Sequence, residues 1–361
     1  MRNKKWTWLA IVFAFALIVA ACGDDDSTTT TAAPGTTQAP GGTDAPATTQ
    51  APGGTDAPAT TAASGEPFRI AIIAPSASND LAFTQSIVDA VAVVSAERGN
   101  TTVDITDGTF NIDDAALAIR DYASDGYDLV IAHGSQYGGS LSEIAREFPD
   151  VSFAWGTAAD TFGLDNVFSY EAASDEGGYV MGVMAAALSE TGVIGIVGPI
   201  EVGDAKLYVD GFKAGAEANG SGVTVNVNYT GSFSDVALAS EAAQAHVSAN
   251  ADVMSGTAQM VVGAVSVADA EGVLWFGTQA NQESLSDVVV ASQVYKWEVI
   301  LREILANIDS GVLGGEIYSI GLANGGEVIE YNAAFDLPAD VRQLAEDTIA
   351  GIIDGSITTG G

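Results

Sequence analysis

The chain has 361 residues, with 12 Lys and Arg against 47 Asp and Glu, so its formal net charge at pH 7 is −35. Beyond the N-terminal segment it has no cluster of basic residues, which argues against binding nucleic acid or anionic lipid headgroups. One Cys and two His can form neither an intramolecular disulfide nor a Cys/His zinc site. We therefore expect no metal, no cofactor and no nucleic-acid partner, and a fold stabilised by packing.

The N-terminus begins with basic residues and continues with an apolar run over residues 6–21, which ends in small residues directly before Cys22. This order predicts a secretory signal peptide over residues 1–21. The run is shorter than the roughly 20 residues of a membrane-spanning helix, so a transmembrane anchor is less favoured. An ordinary signal with a spare thiol is less favoured still. The sequence resembles the bacterial lipoprotein signal, which implies a lipid on Cys22 and anchoring at the extracytoplasmic face of the cell membrane.

A segment rich in Thr, Ala, Pro and Gly follows over residues 22–65, and within it residues 38–49 recur letter for letter as residues 50–61. Such a segment has too few apolar side chains to offset the entropy lost on ordering. We predict a disordered linker between the anchor and the globular part.

From Glu66 onward, apolar strands alternate with amphipathic helices. The predicted strands cover residues 68–74, 103–105, 128–134, 151–155, 167–170, 193–197, 223–229, 252–255, 273–276 and 288–292. The predicted helices cover residues 81–98 with Asn79 or Asp80 as cap, 112–123, a segment ending at 146, 176–188, 205–218, 235–249, 261–271 and 294–308. Strands that are apolar throughout and separated by helices indicate parallel sheets covered on both faces. Two successive series predict an α/β fold with two doubly wound lobes, whose strand ends face a ligand cleft.

Four short segments carry a family resemblance: DLAFTQS at 80–86, EGGYVMG at 176–182, GFKAG at 211–215 and YTGSFSD at 229–235. They resemble the basic membrane protein family, substrate-binding lipoproteins of ABC importers whose best-understood members bind purine nucleosides. The similarity extends over residues 68–308. It implies a type I periplasmic-binding fold with a ligand cleft between its lobes.

The resemblance also implies a division of the chain and a set of partners. One lobe would comprise residues 66–170 plus about 294–325, and the other residues 171–293 plus about 326–361. The implied partners are a small-molecule ligand and an ABC permease in the membrane, with the lipid anchor as the only membrane contact. A monomer suffices for this role.

Nucleoside binders of the family hold the base between aromatic rings, and the first loop of this chain matches that part of the site. Phe83 matches one stacking ring, Asp80 occupies the acidic position of the loop, and Thr84 stands where Asn is usual. These three residues are accordingly predicted to contact the ligand.

The charged anchors implied by the family are replaced. Thr157 stands in place of the Asp after the fourth strand, Gln279 in place of a ribose-binding Asp, and Tyr295 aligns with a Lys, although Lys296 is adjacent. Since buried charges occur in pairs, the loss of both signs together indicates a pocket rebuilt for another ligand or for another way of holding a nucleoside. A purine nucleoside is the leading candidate within a wider class of small aromatic or hydroxylated metabolites, and flavin-like or sugar-like ligands are alternatives.

Residues that directly follow the predicted strands are further pocket candidates, because ligands of such sheets bind at the carboxyl ends of the strands. This wider group includes Gln136 and Asp204. The complete set of predicted ligand-binding residues is Asp80, Phe83, Thr84, His133, Ser135, Trp155, Thr157, Phe233, Thr257, Gln259, Gln279 and Tyr295.

Enzymatic motifs are missing from the sequence. It contains neither an H-E-x-x-H zinc motif nor a G-x-S-x-G nucleophile elbow. The loop over residues 198–203 has the glycine spacing of a phosphate loop, but Asp204 follows where Lys would be needed, and a carboxylate repels phosphate. Abundant Asp and Glu leave a glycosidase-like carboxylate pair open on spacing alone. We expect a solute-binding lipoprotein rather than an enzyme, with a surface sensor or interaction protein lacking transport as the alternative.

Overall fold

The computed structural model describes residues 65–219 and 222–360. The predicted signal peptide, Cys22 and all of the predicted linker except Gly65 lie outside these residues. The strands are β1 (Phe68–Ile73), β2 (Thr101–Thr106), β3 (Leu129–His133), β4 (Ser152–Gly156), β5 (Val167–Ala172), β6 (Val193–Gly198), β7 (Thr224–Tyr229), β8 (Val253–Gly256), β9 (Leu274–Gln279), β10 (Val289–Tyr295), β11 (Ile317–Ile320) and β12 (Glu327–Tyr331). The helices are α1 (Phe83–Arg98), α2 (Ile112–Ser124), α3 (Gly138–Glu147), α4 (Ser174–Leu188), α5 (Gly203–Asn219), α6 (Val236–Ser248), α7 (Val262–Glu271), α8 (Glu298–Asp309) and α9 (Ala339–Ile353).

The strands form two sheets of six strands each. The first sheet has the order β11-β5-β4-β3-β1-β2, and all its neighbours are parallel. The second has the order β12-β10-β9-β8-β6-β7, in which β12 alone runs antiparallel to its neighbour. This arrangement confirms the predicted α/β class with two doubly wound sheets.

Each sheet has an apolar core on both faces, as expected for parallel strands. Helices α1 and α8 cover one face of the first sheet, and α2 and α3 cover the other. Helices α4, α5 and α9 cover one face of the second sheet, and α6 and α7 cover the other. The chain passes between the sheets after β5, after β10 and after β11.

The glycines of two sequence motifs are explained by the contact between α4 and α5. A Cβ atom added to Gly182 would lie 1.9 Å from the carbonyl oxygen of Phe212, and one added to Gly215 would lie 2.0 Å from that of Tyr179. Any side chain at these positions would force the two helix backbones apart. The EGGYVMG and GFKAG segments therefore serve helix packing.

Four predicted helix starts differ from the structure by two residues or more, among them those at residues 176 and 205, whose helices begin at Ser174 and Gly203. The helix predicted from residue 294 begins at Glu298, because β10 continues to Tyr295, which pairs with Glu327 of β12. The helix predicted from residue 81 begins at Phe83, because Leu81 has a φ of 53°. Elements were not predicted after residue 308, where β11, β12 and α9 lie.

Candidate functional site

A cavity lies where the carboxyl ends of strands from both sheets meet. It holds about 470 Å³ of empty space, a figure that includes the open solvent at its mouth. Its lining from the first-sheet side is Pro75, Phe83, Phe110, Ser135, Gln136 and Thr157, and from the second-sheet side Val202, Gly203, Asp204, Ala205, Phe233, Ala258, Gln259 and Gln279. These two groups of residues are called the first-sheet side and the second-sheet side of the cavity.

Aromatic rings support the first-sheet side. The ring of Phe83 stacks on that of His133, with centroids 4.1 Å apart and planes inclined by 25°. Behind them, His133 Nδ1 lies 2.8 Å from the Tyr170 hydroxyl, and the Trp297 ring meets both side chains edge-on. Burial lowers the pKa of His133 to about 3, so its imidazole is neutral at pH 7. Phe83 thus presents a flat apolar surface that other rings hold in place.

Asp204 stands on the opposite side, in the first turn of α5. The hydroxyl of Thr157, which follows β4, donates to Asp204 Oδ1 over 3.4 Å. The other carboxylate oxygen, Oδ2, is buried and has no hydrogen-bond partner among the described residues. Burial raises the pKa of Asp204 to about 6, and the nearby charge of Glu171 adds to the rise. Hydrogen bonds from the backbone N–H groups of Asp204 and Ala205 and from Thr157 lower this pKa, but burial outweighs them.

Two other lining residues have unusual backbone conformations. Gln279 and Ala258 have φ values of 73° and 75°, in the left-handed region that side chains other than glycine rarely adopt. Gln279 is only 2% exposed, and its Oε1 atom has no partner among the described residues. Strained backbone and unpaired buried polar atoms concentrate at functional sites.

The structure brings several predicted ligand-binding residues to the cavity wall, where they lie within reach of one ligand. They are Phe83, Ser135, Thr157, Phe233, Gln259 and Gln279.

Asp80, Thr84 and His133 lie outside the lining and support it. The Asp80 carboxylate accepts the backbone N–H groups of Ala82, Thr84 and Gln85 and so caps α1. Thr84 is buried, with its Oγ1 2.7 Å from Ser76 Oγ. His133 lies behind Phe83.

Trp155, Thr257 and Tyr295 also lie away from the lining. The Trp155 ring stacks on Phe162 at 4.8 Å. Thr257 is buried, and its hydroxyl oxygen has no partner among the described residues. The Tyr295 hydroxyl lies 2.8 Å from Ser174 Oγ, and this side chain borders a second cavity.

Among the lining residues that the prediction missed are two large apolar ones, Phe110 and Val202, which are 45% and 49% exposed. Phe110 lies in the loop after β2. The sequence analysis took candidates from the loops that follow other strands, and the same reasoning applied to β2 would have found Phe110. Val202 follows β6 in the same way. Large apolar residues in the loops that follow strands are the sequence signal for these two positions, since exposed apolar side chains often mark a binding site.

Two sheets of this topology, with a cavity at their carboxyl ends, define a protein with the type I periplasmic-binding fold. A solved ABC transporter solute-binding protein from Conexibacter woesei matches it with a TM-score of 0.68 and 25% identity, over 80% of this chain and 97% of that one. Residues 68–347 match the family described as ABC transporter substrate-binding protein, PnrA-like. The chain belongs to this family, so the predicted resemblance is confirmed.

Curated relatives point the same way. The chain is 26% identical to a purine-binding protein of Brucella abortus, over 68% of this chain and 69% of the relative. It is 28% identical to the ABC transporter nucleoside-binding protein BmpA of Lactococcus lactis, over 64% of this chain and 71% of the relative. The family comprises extracytoplasmic substrate-binding proteins of ABC transporters rather than enzymes.

Within residues 65–219 and 222–360, none of the helices is both long enough and apolar enough to cross a bilayer. No group of three or more His, Cys, Asp or Glu side chains in these ranges is placed to hold a metal ion.

Proposed function

We propose that the chain captures a purine nucleoside, or a closely related small aromatic metabolite, in this cavity and delivers it to an ABC permease. The observation that carries the proposal is the pair of aromatic rings in the lining, Phe83 from the first-sheet side and Phe233 from the second. Flat heteroaromatic ligands stack favourably on such rings. The names of the Brucella and Lactococcus relatives support the same class of ligand.

Capture would be a hinge motion of two lobes, residues 66–170 plus about 294–325 against residues 171–293 plus about 326–361, with hinges near Tyr170 and Gln293. Hydrogen bonds cross the cleft between the two sides: besides the bond of Thr157 to Asp204, Gln282 Nε2 donates to the Leu81 carbonyl over 3.3 Å. A ligand that touches both sides favours the closed arrangement. We further propose a monomer anchored through a lipid on Cys22.

The test is calorimetric titration of the purified full-length protein with inosine, guanosine and adenosine, beside riboflavin, glucose and free amino acids. We expect a nucleoside to bind, and at 100 times its Kd to add about 2.7 kcal/mol to the free energy of unfolding. Binding of riboflavin or glucose with no response to any nucleoside would contradict the proposed ligand.

A further inference from the structure

The cavity has an unbalanced charge. Among its lining residues Asp204 is the one ionisable side chain, and the remainder are apolar, hydroxyl or amide groups. The ion pairs formed by the described residues do not include Asp204. Its charged neighbour Glu171 has the same sign. No cation of the described chain therefore compensates this carboxylate.

An uncompensated, partly buried carboxylate is costly unless hydrogen-bond donors replace the water it loses. Asp204 Oδ1 receives one long hydrogen bond from Thr157, at 3.4 Å, and Oδ2 receives none. Asp204 and Gln279 both line the cavity, and Gln279 Oε1 is another buried oxygen without a hydrogen-bond partner among the described residues. The backbone N–H groups of Asp204 and Ala205 offset part of the cost of burying the carboxylate, and a donor from a ligand would offset more of it.

We propose that Asp204 is the anionic hydrogen-bond acceptor for the ligand, and that it restricts the site to neutral or cationic ligands with N–H or O–H donors. Ligands carrying phosphate or carboxylate are rejected, because their charge would face that of Asp204 with no cation nearby. This inference rests on the proposed function only in taking the cavity as the binding site. It adds that nucleosides bind and their phosphorylated forms do not.

The donor could be an N–H of the base or an O–H of the sugar, and matched ligands separate the two. Inosine carries both kinds of donor. Purine riboside lacks N–H donors on its base, and 2′,3′-dideoxyinosine lacks the sugar diol. Inosine 5′-monophosphate adds negative charge. Each is titrated into full-length wild type, Asp204→Asn and the control Asp210→Asn, which changes an exposed carboxylate on the same helix α5.

We expect wild type to bind inosine at least about 100-fold more tightly than the monophosphate. Asp204→Asn should weaken inosine binding about 10- to 100-fold, the range of a hydrogen bond to a charged group. The variant should also show a smaller difference in affinity between inosine and inosine 5′-monophosphate. Asp210→Asn should leave both affinities unchanged. The ligand whose missing donor makes Asp204→Asn harmless identifies the partner: purine riboside for the base, dideoxyinosine for the 2′ or 3′ hydroxyl. A loss of affinity with both ligands identifies the 5′ hydroxyl, which both retain.

Different results would contradict the role of Asp204 and the proposed nucleoside ligand. Unchanged inosine affinity in Asp204→Asn, or wild type binding the monophosphate as tightly as inosine, would overturn the role of Asp204 while leaving a nucleoside receptor. If wild type ignores nucleosides but binds another neutral donor-bearing compound, and Asp204→Asn weakens that binding at least tenfold, the nucleoside proposal falls and the role of Asp204 stands.

Discussion

The two sides of the cavity offer a ligand different things. On the first-sheet side Phe83 lies on a stack of buried rings, so its surface exists before any ligand arrives. On the second-sheet side Asp204 and Gln279 hold oxygens without partners among the described residues, and the backbone at Gln279 is strained. One side is packed and largely complete, whereas the other becomes complete only with a ligand. Shape recognition and polar selection therefore reside on opposite sides, and variants should separate them.

The largest effect on affinity is expected from Phe83→Ala, which removes the flat surface of the first-sheet side. Stacking of a base on an aromatic ring is worth about 1–3 kcal/mol, so inosine should bind about 10- to 100-fold more weakly by calorimetry. Phe110→Ala is the graded comparison, since Phe110 is 45% exposed and has no stacked ring among the described residues. Equal losses in the two variants would show that the ring stack behind Phe83 has no role in binding.

The second-sheet side should give a pH dependence. Burial raises the pKa of Asp204 to about 6 and lowers that of His133 to about 3. Of these two side chains, Asp204 therefore changes charge near pH 6. The ionised carboxylate is the better acceptor, so inosine affinity should fall about 5- to 10-fold between pH 7 and about pH 5. Titrations of Asp204→Asn over the same range should be flat. A wild-type profile as flat as that of the variant would be incompatible with this role.

The same residue should reduce the stability of the ligand-free protein. Its pKa in the folded state is raised from 3.8 to about 6, so the folded state binds this proton more tightly than the unfolded state. Stability is therefore lost as pH rises from about 4 through 6. Above pH 6, Asp204→Asn should melt about 2 °C or more above wild type in a thermal unfolding experiment. Asp210→Asn should show no such gain, and a gain common to both variants would point to net charge instead.

The smallest effect on affinity is expected behind the first-sheet side. Trp297 Nε1 donates to Ser86 Oγ over 2.9 Å, and Ser86 Oγ donates to the Phe83 carbonyl over 2.7 Å. Trp297→Phe removes that bond and part of a buried ring, so the free energy of unfolding should fall by about 1–3 kcal/mol. Inosine affinity should change less than about threefold. Urea denaturation and calorimetry measure the two quantities, and an affinity loss as large as that of Phe83→Ala would argue against a passive support.

Much of the fold could be predicted because buried parallel strands are apolar runs, as in β1 and β3, bounded by turn residues. The edge strands β11 and β12 gave no such signal. Glu327 in β12 is a buried carboxylate, satisfied by Gln293 Nε2 at 2.5 Å and by the backbone N–H of Gly177 at 3.1 Å. These partners are far away in sequence, so nothing near Glu327 reveals that a strand can bury it.

The site was harder to predict than the fold. The strand-end rule correctly places residues near the cleft, but it does not say which way a side chain points. Trp155 illustrates this, because its ring lies against Gly138, whose missing side chain makes room for it, and not in the cavity lining. Asp204 was found only as one of a wider group, since its missing partners are visible only in three dimensions.

The three passages of the chain between the sheets have a consequence for how the protein is made. The edge strands β11 and β12 come last in the sequence, yet each pairs with a strand that is almost entirely buried, β5 or β10. Until residues 317–331 are present, both sheets carry an unpaired apolar edge, the kind of surface that recruits other chains. A protein truncated before residue 317 is thus expected to scatter light at concentrations where the full chain stays clear. The described strands that come last in the chain, β11 and β12, thus complete an edge of each sheet.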